Sequence, residues 1–133
     1  MNYLASPYSH ADQRVREQRY HAACRATADL IRAGHVIFSP IVQGHPLVAY
    51  GLPTDWASWE RFDCAGLERC DGIVVLMLDG WQESIGVTAE IGMALQLGMS
   101  VRYLFGADFG IGSKFCEKLE IPDKPKIVRV DGK

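Results

Sequence analysis

A chain of 133 residues with a formal net charge of −2 is the size of one ordinary domain, and residues 1–133 read as a single unit. With 48% hydrophobic and 23% charged residues it can bury a core without disulfide or metal staples. Its basic residues are not bunched, which argues against a general binder of nucleic-acid polymers, and no apolar run approaches the roughly 20 residues of a membrane span. The opening Met1-Asn2-Tyr3-Leu4-Ala5 has no basic region ahead of an apolar run, so a cytoplasmic location with no membrane partner is expected.

Residues 3–5 predict a short first strand, closed by the turn Ser6-Pro7-Tyr8-Ser9. From about 10 to 33, Val15, Tyr20, Ala23, Ala26, Leu30 and Ile31 recur at three- and four-residue steps, which predicts a helix. Gly34 stands where a glycine closes a helix. Residues 35–38 predict a second strand, stopped by Ser39-Pro40. Residues 41–53, rich in Gly, Pro and His, read as a loop. Thr54 or Asp55 is placed to cap a helix running to about Arg69. Residues 72–78 are continuously apolar, as in a strand covered on both faces. Ser84 is placed to cap a helix running to Leu97 and followed by Gly98. Residues 101–105 predict another buried strand, 107–119 a helix and 126–130 a last strand. This alternation implies an α/β fold, a three-layer αβα arrangement with a Rossmann-like or flavodoxin-like parallel sheet of about five strands. Ligands bind such sheets at the carboxyl ends of the strands, where the strand order reverses. The loops 6–9, 39–53 and 79–86 are therefore the places to look.

Three side chains stand out as carriers of chemistry. Glu90 follows a strand, a turn and the start of a helix. The first helical N–H groups lack backbone partners and, with the macrodipole, favour negative charge. A carboxylate about one turn inside that helix is expected to stay ionised, which suits a nucleophile more than a proton donor. Gly86 lets a ligand approach the backbone closely. The ordinary reading of Glu90 is a glutamate satisfying the helix dipole. Against it, Glu90 stands at the leading edge of the core-like Ile91, Met93, Ala94, Leu95 and Leu97. Asp63 shares a helix face by spacing with Trp59, Gly66 and Cys70, and a carboxylate among apolar and small neighbours needs a reason to be there; a solvated or capping contact is the ordinary one. Tyr3 is ordinarily a core residue, but its hydroxyl is placed to reach the carboxyl end of the sheet and hold a neighbouring carboxylate.

Other chemistries find little support. Cys24, Cys64, Cys70 and Cys116 form no C-x-x-C pair and have no histidine at zinc-finger spacing, so they read as reduced thiols and no metal site is expected. No G-x-G-x-x-G follows the first strand and no P-loop pattern occurs. No cofactor is expected.

Taken together, these residues resemble a known family. Tyr3-Leu4-Ala5-Ser6-Pro7-Tyr8 resembles the opening strand and loop of the nucleoside 2-deoxyribosyltransferase-like clan. The segment from Asp63 through Asp71-Gly72-Ile73-Val74-Val75-Leu76, Leu78-Asp79-Gly80, Ser84, Gly86-Val87 and Ala89-Glu90-Ile91-Gly92 to Ala94, Gly98 and Val101 resembles that clan's central signature. The resemblance covers about residues 2 to 105 and is closest to a bacterial and phage subfamily with Ser39-Pro40-Ile41 and His45-Pro46 in the middle. It implies cleavage of the N-glycosidic bond of a (deoxy)nucleoside or nucleoside 5′-monophosphate, by hydrolysis or 2-deoxyribosyl transfer. Glu90 would attack the anomeric carbon, Asp63 would hold sugar hydroxyls and orient the glutamate, and Tyr3 would hydrogen-bond to the nucleophile. It also implies a homodimer or homotetramer, since neighbouring subunits often complete the site in the clan.

Two departures bear on the substrate. The transferases of the clan carry an aspartate six residues before the glutamate, where this chain has Ser84. The related deoxynucleoside monophosphate N-hydrolases carry serine there, on the 5′-phosphate. Ser84, Ser6 and Ser9 are candidates for such an anion site, which favours a nucleotide. The arginine of those hydrolases' first loop has no match, its place being taken by Ser9. Around this site, Trp56, Trp59 and Trp81, the last beside Asp79, are candidates to stack on a base, worth roughly 1–3 kcal/mol per base, although core or interface packing is the ordinary role of tryptophan. His45 is a candidate proton donor to the leaving base or, more ordinarily, a structural loop residue. The competing function is a non-catalytic nucleotide or nucleotide-sugar binding or sensor module on the same fold; a redox or metal protein built on the cysteines and histidines is a weaker third.

Overall fold

The structure, a computed structural model, describes residues 1–105. The predicted helix over 107–119, the predicted strand over 126–130 and Cys116 lie outside the described residues. Within them, four parallel strands form one sheet: β1 (Asn2–Ala5), β2 (Ile37–Phe38), β3 (Gly72–Met77) and β4 (Ser100–Phe105), in the order β2-β1-β3-β4. Four helices connect them: α1 (Gln13–Arg32), α2 (Pro40–Val48), α3 (Trp56–Glu68) and α4 (Ile85–Gln96).

Each helix begins where a short polar side chain takes up an unpartnered backbone N–H. Asp12 accepts from Arg14 N, Ser39 from Val42 N, Asp55 from Ser58 N and Ser84 from Val87 N. The Asp12 cap explains why α1 starts later than the apolar spacing alone indicates. At the other ends, Gly34 (φ +97°) and Gly98 (φ +72°) supply the left-handed turn that stops α1 and α4. Only two residues of the expected second strand pair with β1. His35 is still bonded back to the end of α1, its N–H donating to Leu30 O at 3.0 Å.

The segment 41–53 departs from its expectation. It is not all loop: Pro40–Val48 is the helix α2. Pro40 lies in its first turn, where the missing N–H costs nothing, and Ser39 caps it. Pro46 falls close enough to the end that little of the backbone ladder is lost. Contacts with α1 offset the weak helix propensity of Gly44 and Pro46.

The side chains of each strand alternate between two cores. Leu4, Val74, Leu76 and Leu104 pack with Ala26 and Leu30 of α1 on one face. Tyr3, Ala5, Ile73, Val75, Met77, Val101 and Tyr103 pack with Leu67 of α3 and Val87 and Ala94 of α4 on the other. That is a three-layer αβα, Rossmann-like sandwich. From β1 the chain crosses to β2 on one side, and from β2 it returns to β3 on the other side of β1. The order therefore reverses between β1 and β3, and a crevice opens at their carboxyl ends. Among the described residues no helix is long and apolar enough to cross a membrane.

Candidate active site

A cavity of about 320 Å³ lies in that crevice, within the roughly 300–1,000 Å³ of small-molecule sites. Its walls come from the three segments that follow β1, β2 and β3. Ser6, Tyr8 and Ser9 belong to the first; Ile41, Gly44, His45 and Val48 of α2 and Trp56, Trp59 and Asp63 of α3 to the second; Ser84, Gly86 and Glu90 to the third.

At its floor Asp63 and Glu90 line the cavity, and they meet Tyr3, which is buried and not part of the lining. The two-residue period of β1 turns Tyr3 toward α3 and α4, where its hydroxyl donates to Glu90 Oε2. Glu90 shares the buried stripe of α4 with Val87 and Ala94, and Asp63 that of α3 with Leu67. Both carboxyls thus occupy helical positions that spacing would give to core residues. Each is 5% exposed and Tyr3 is fully buried. The Asp63 and Glu90 carboxyls are close enough to act on one another electrostatically.

Burial dominates the electrostatics. It pushes the Asp63 carboxyl up to about 7, opposed by its interaction with Glu90. It also raises Glu90 well above the ordinary carboxylate range; the Tyr3 hydroxyl opposes this, and the neighbouring Asp63 charge reinforces it. Burial first, and then the charges of Glu90 and Asp63, raise Tyr3, so it remains a donor. The two carboxyls titrate as one unit that holds a proton to higher pH than either would alone in water. This corrects the expectation that Glu90 stays ionised on account of its helix. It is the sixth residue of α4, and the influence of the macrodipole fades beyond the first turn.

Two buried polar atoms on the cavity wall, Ser6 Oγ and Asp63 Oδ1, have no hydrogen-bond partner among the described residues. An unsatisfied buried polar atom typically costs about 1–3 kcal/mol. Both atoms are placed to recover that cost by bonding a ligand hydroxyl.

The remaining expected site residues divide. Ser9 lines the cavity, its hydroxyl donating to Thr54 O at 2.7 Å. Ser84 lines it too, with Oγ accepting the Val87 N–H at 3.2 Å. Gly86 lines the cavity and also makes room for a side chain: a Cβ there would lie 3.1 Å from the Trp56 ring. Trp56 and Trp59 both face the cavity on the same stripe as Asp63. Trp59 is pinned by its indole N–H on Pro53 O at 2.7 Å, with Gly44 close beneath its ring. Asp79 and Trp81 are not part of the lining. Trp81 is 9% exposed and packs on Tyr103, ring centroids 5.7 Å apart, inside the core. The Asp79 side chain is exposed, while its carbonyl accepts from Arg19, which also donates to Ser9 O. Arg19 so ties the loop after β1 to the loop after β3.

Sequence reasoning missed Tyr8 and Glu17. Tyr8 Oη lies 2.6 Å from His45 Nδ1, and both Glu17 oxygens lie 3.0 Å from His45 Nε2. Tyr8 was findable, since it sits in the turn after the first strand. Glu17 carried no signal, being one polar residue of many on α1.

No curated protein matches the chain. A family model described as a domain of unknown function, DUF1937, matches residues 1–105, the same span that carries the sheet, the cavity and the buried carboxyl pair. The chain belongs to the DUF1937 family.

Proposed function

We propose that the chain cleaves the N-glycosidic bond of a nucleoside, with Glu90 attacking the anomeric carbon. The observation that carries this is the floor of the cavity: a buried carboxyl held by the Tyr3 hydroxyl and set against a second carboxyl, Asp63. As the Glu90 oxygen bonds to the anomeric carbon, the carbon–nitrogen bond breaks and its electrons leave with the base. Water or a second base then opens the glycosyl ester and frees Glu90. Asp63 Oδ1 and Ser6 Oγ, buried and without partners among the described residues, suit sugar hydroxyls. Trp56 and Trp59 suit the flat face of a base. The resemblance to the nucleoside 2-deoxyribosyltransferase-like clan supports the same roles for Tyr3, Asp63 and Glu90, and with them a homodimer or homotetramer.

The charge of the lining bears on the substrate. Among the described residues it holds four carboxyls, Asp55, Asp63, Glu83 and Glu90, and one imidazole, His45, with no lysine or arginine. A wall of that sign repels a phosphate dianion. Ser9 already donates its hydroxyl hydrogen to Thr54 O. This favours a neutral nucleoside over a 5′-monophosphate, against the indication that Ser84 gives in the sequence.

Chromatography of free base released from a panel of nucleosides and monophosphates tests the proposal. Native protein is expected to release base and Glu90→Gln to release none while melting normally. A slow 2-fluoro nucleoside is expected to leave a sugar adduct on Glu90, visible by mass spectrometry. Ligand-dependent melting shifts without base release over hours would instead indicate a binding or sensor module.

A further inference from the structure

The departing base needs a proton, and the Tyr3–Asp63–Glu90 floor is occupied with the sugar side of the bond. Ser84, where the clan's transferases have an aspartate for this task, is a helix cap. We propose that Tyr8 is the general acid that protonates the leaving base, drawing its proton from His45, which Glu17 holds in place. The inference rests on the N-glycosidase reading.

Tyr8 and His45 both line the cavity. Their hydrogen bond at 2.6 Å and the Glu17–His45 pair at 3.0 Å form one chain from cavity to surface. The Glu17 carboxylate only accepts, so His45 Nε2 carries a hydrogen. In the neutral ring Nδ1 is then bare and takes the Tyr8 hydroxyl proton as acceptor. In the imidazolium Nδ1 donates to the Tyr8 oxygen, and the hydroxyl hydrogen turns outward to the cavity. The Tyr20 ring stacks on His45, centroids 4.3 Å apart and 30° between planes, and so fixes the ring's orientation. The His45 side chain is 14% exposed, which limits exchange with bulk water. Among the described residues, Arg16 and Tyr20 of α1 face this chain beside its own member Glu17; Arg16 acts on the Tyr8 hydroxyl and Tyr20 packs on His45.

As the carbon–nitrogen bond breaks, the base takes the Tyr8 hydroxyl proton, and the Tyr8 oxygen takes the proton of His45 Nδ1. His45 is left neutral, its Nε2 hydrogen still on Glu17. When water opens the ester, its oxygen bonds to the anomeric carbon, Glu90 departs as carboxylate, and one water proton returns through Tyr8 to Nδ1. The sum is nucleoside plus water giving base plus sugar.

The test compares a purine nucleoside with its N7-methylated form, whose base leaves uncharged without taking a proton. Tyr8→Phe is expected to lower kcat/KM on the unmethylated substrate by about 10²-fold or more, with a loss at least about tenfold smaller on the methylated one. Equal losses on both, or no loss on either, overturn the relay. Glu90→Gln is expected to abolish both reactions; native protein that turns over neither, or Glu90→Gln that keeps both, sinks the N-glycosidase reading whatever Tyr8 does. Nitrogen-15 spectra of the imidazoles give a readout without turnover. Neutral His45 is expected with hydrogen on Nε2, and Glu17→Gln is expected to weaken that preference; a neutral ring with hydrogen on Nδ1 in native protein overturns the proposal.

Discussion

The floor and the rim of the cavity are both built from carboxyls and tyrosines, yet they differ in how those groups are satisfied. At the floor, Asp63 and Glu90 are buried side by side with Tyr3, and Asp63 Oδ1 is left without a partner among the described residues. At the rim, Tyr8, His45 and Glu17 are hydrogen-bonded end to end, and Glu17 is well hydrated, its side chain 42% exposed. Two carboxyls out of water raise each other's proton affinity. Groups bonded end to end already have their polar atoms partnered. The contrast teaches that the floor stores unfavourable polar burial, which a ligand is able to relieve, while the rim is stable as it stands and suited to moving protons.

The largest expected effect removes the floor's proposed nucleophile. Glu90→Gln keeps the shape and the Tyr3 contact but not the charge, and is expected to lower kcat by about 10³-fold or more. A rate within a few-fold of native would dissolve the distinction between floor and rim. Next is the pH profile of kcat/KM. Glu90 must be ionised to attack, and burial raises it well above the ordinary carboxylate range. Activity is therefore expected to rise with pH through an acid limb well above pH 4.3, the ordinary glutamate value of about 4.3 being the reference; a limb at that ordinary value would show a hydrated floor.

A third effect concerns stability alone. Asp63 ionises near about 3.9 in an unfolded chain but only at about 7 when folded. Between those values the folded chain holds more protons than the unfolded one, so stability falls as pH rises. Its contribution is complete below the unfolded value and is lost as pH passes through the folded one. Native protein is thus expected to melt lower at pH 8 than at pH 5, and Asp63→Asn to lose less over the same interval. Parallel melting curves for the two proteins would contradict the coupling. The smallest effect is that of Ser6→Ala. Removing an unsatisfied buried hydroxyl is expected to leave stability unchanged or raise it by about 1 kcal/mol, while KM for the nucleoside rises. A drop in melting temperature would mean that Ser6 already has a partner at the floor.

Much of this floor is legible in the chain. Glu90 and Asp63 occupy positions on amphipathic stripes where apolar residues belong, and a misplaced carboxyl can be seen without coordinates. Tyr3 is legible only together with the family resemblance, because a tyrosine in a strand is ordinarily core. The rim is much less so. Reading 41–53 as loop hid α2, whose Gly44 and Pro46 look like helix breakers until α1 is seen packed against them. With α2 hidden, nothing linked His45 to Glu17, which is 28 residues away. Trp81 shows the opposite error. Its place beside a strand end suggested a stacking platform, but the loop turns it inward onto Tyr103.

By itself, the sequence determined the order of the elements other than α2, the helix cap at Ser84, the parallel three-layer arrangement and the odd placement of two acids, because all of these depend on local periodicity and on side chains near their own backbone. Only the tertiary structure decided which groups meet and how far each is removed from water. Burial of Glu90 outweighed its helix, and Tyr8, His45 and Glu17 joined from three separate segments, because desolvation and contact between distant segments depend on packing in three dimensions and leave no periodic trace in the chain.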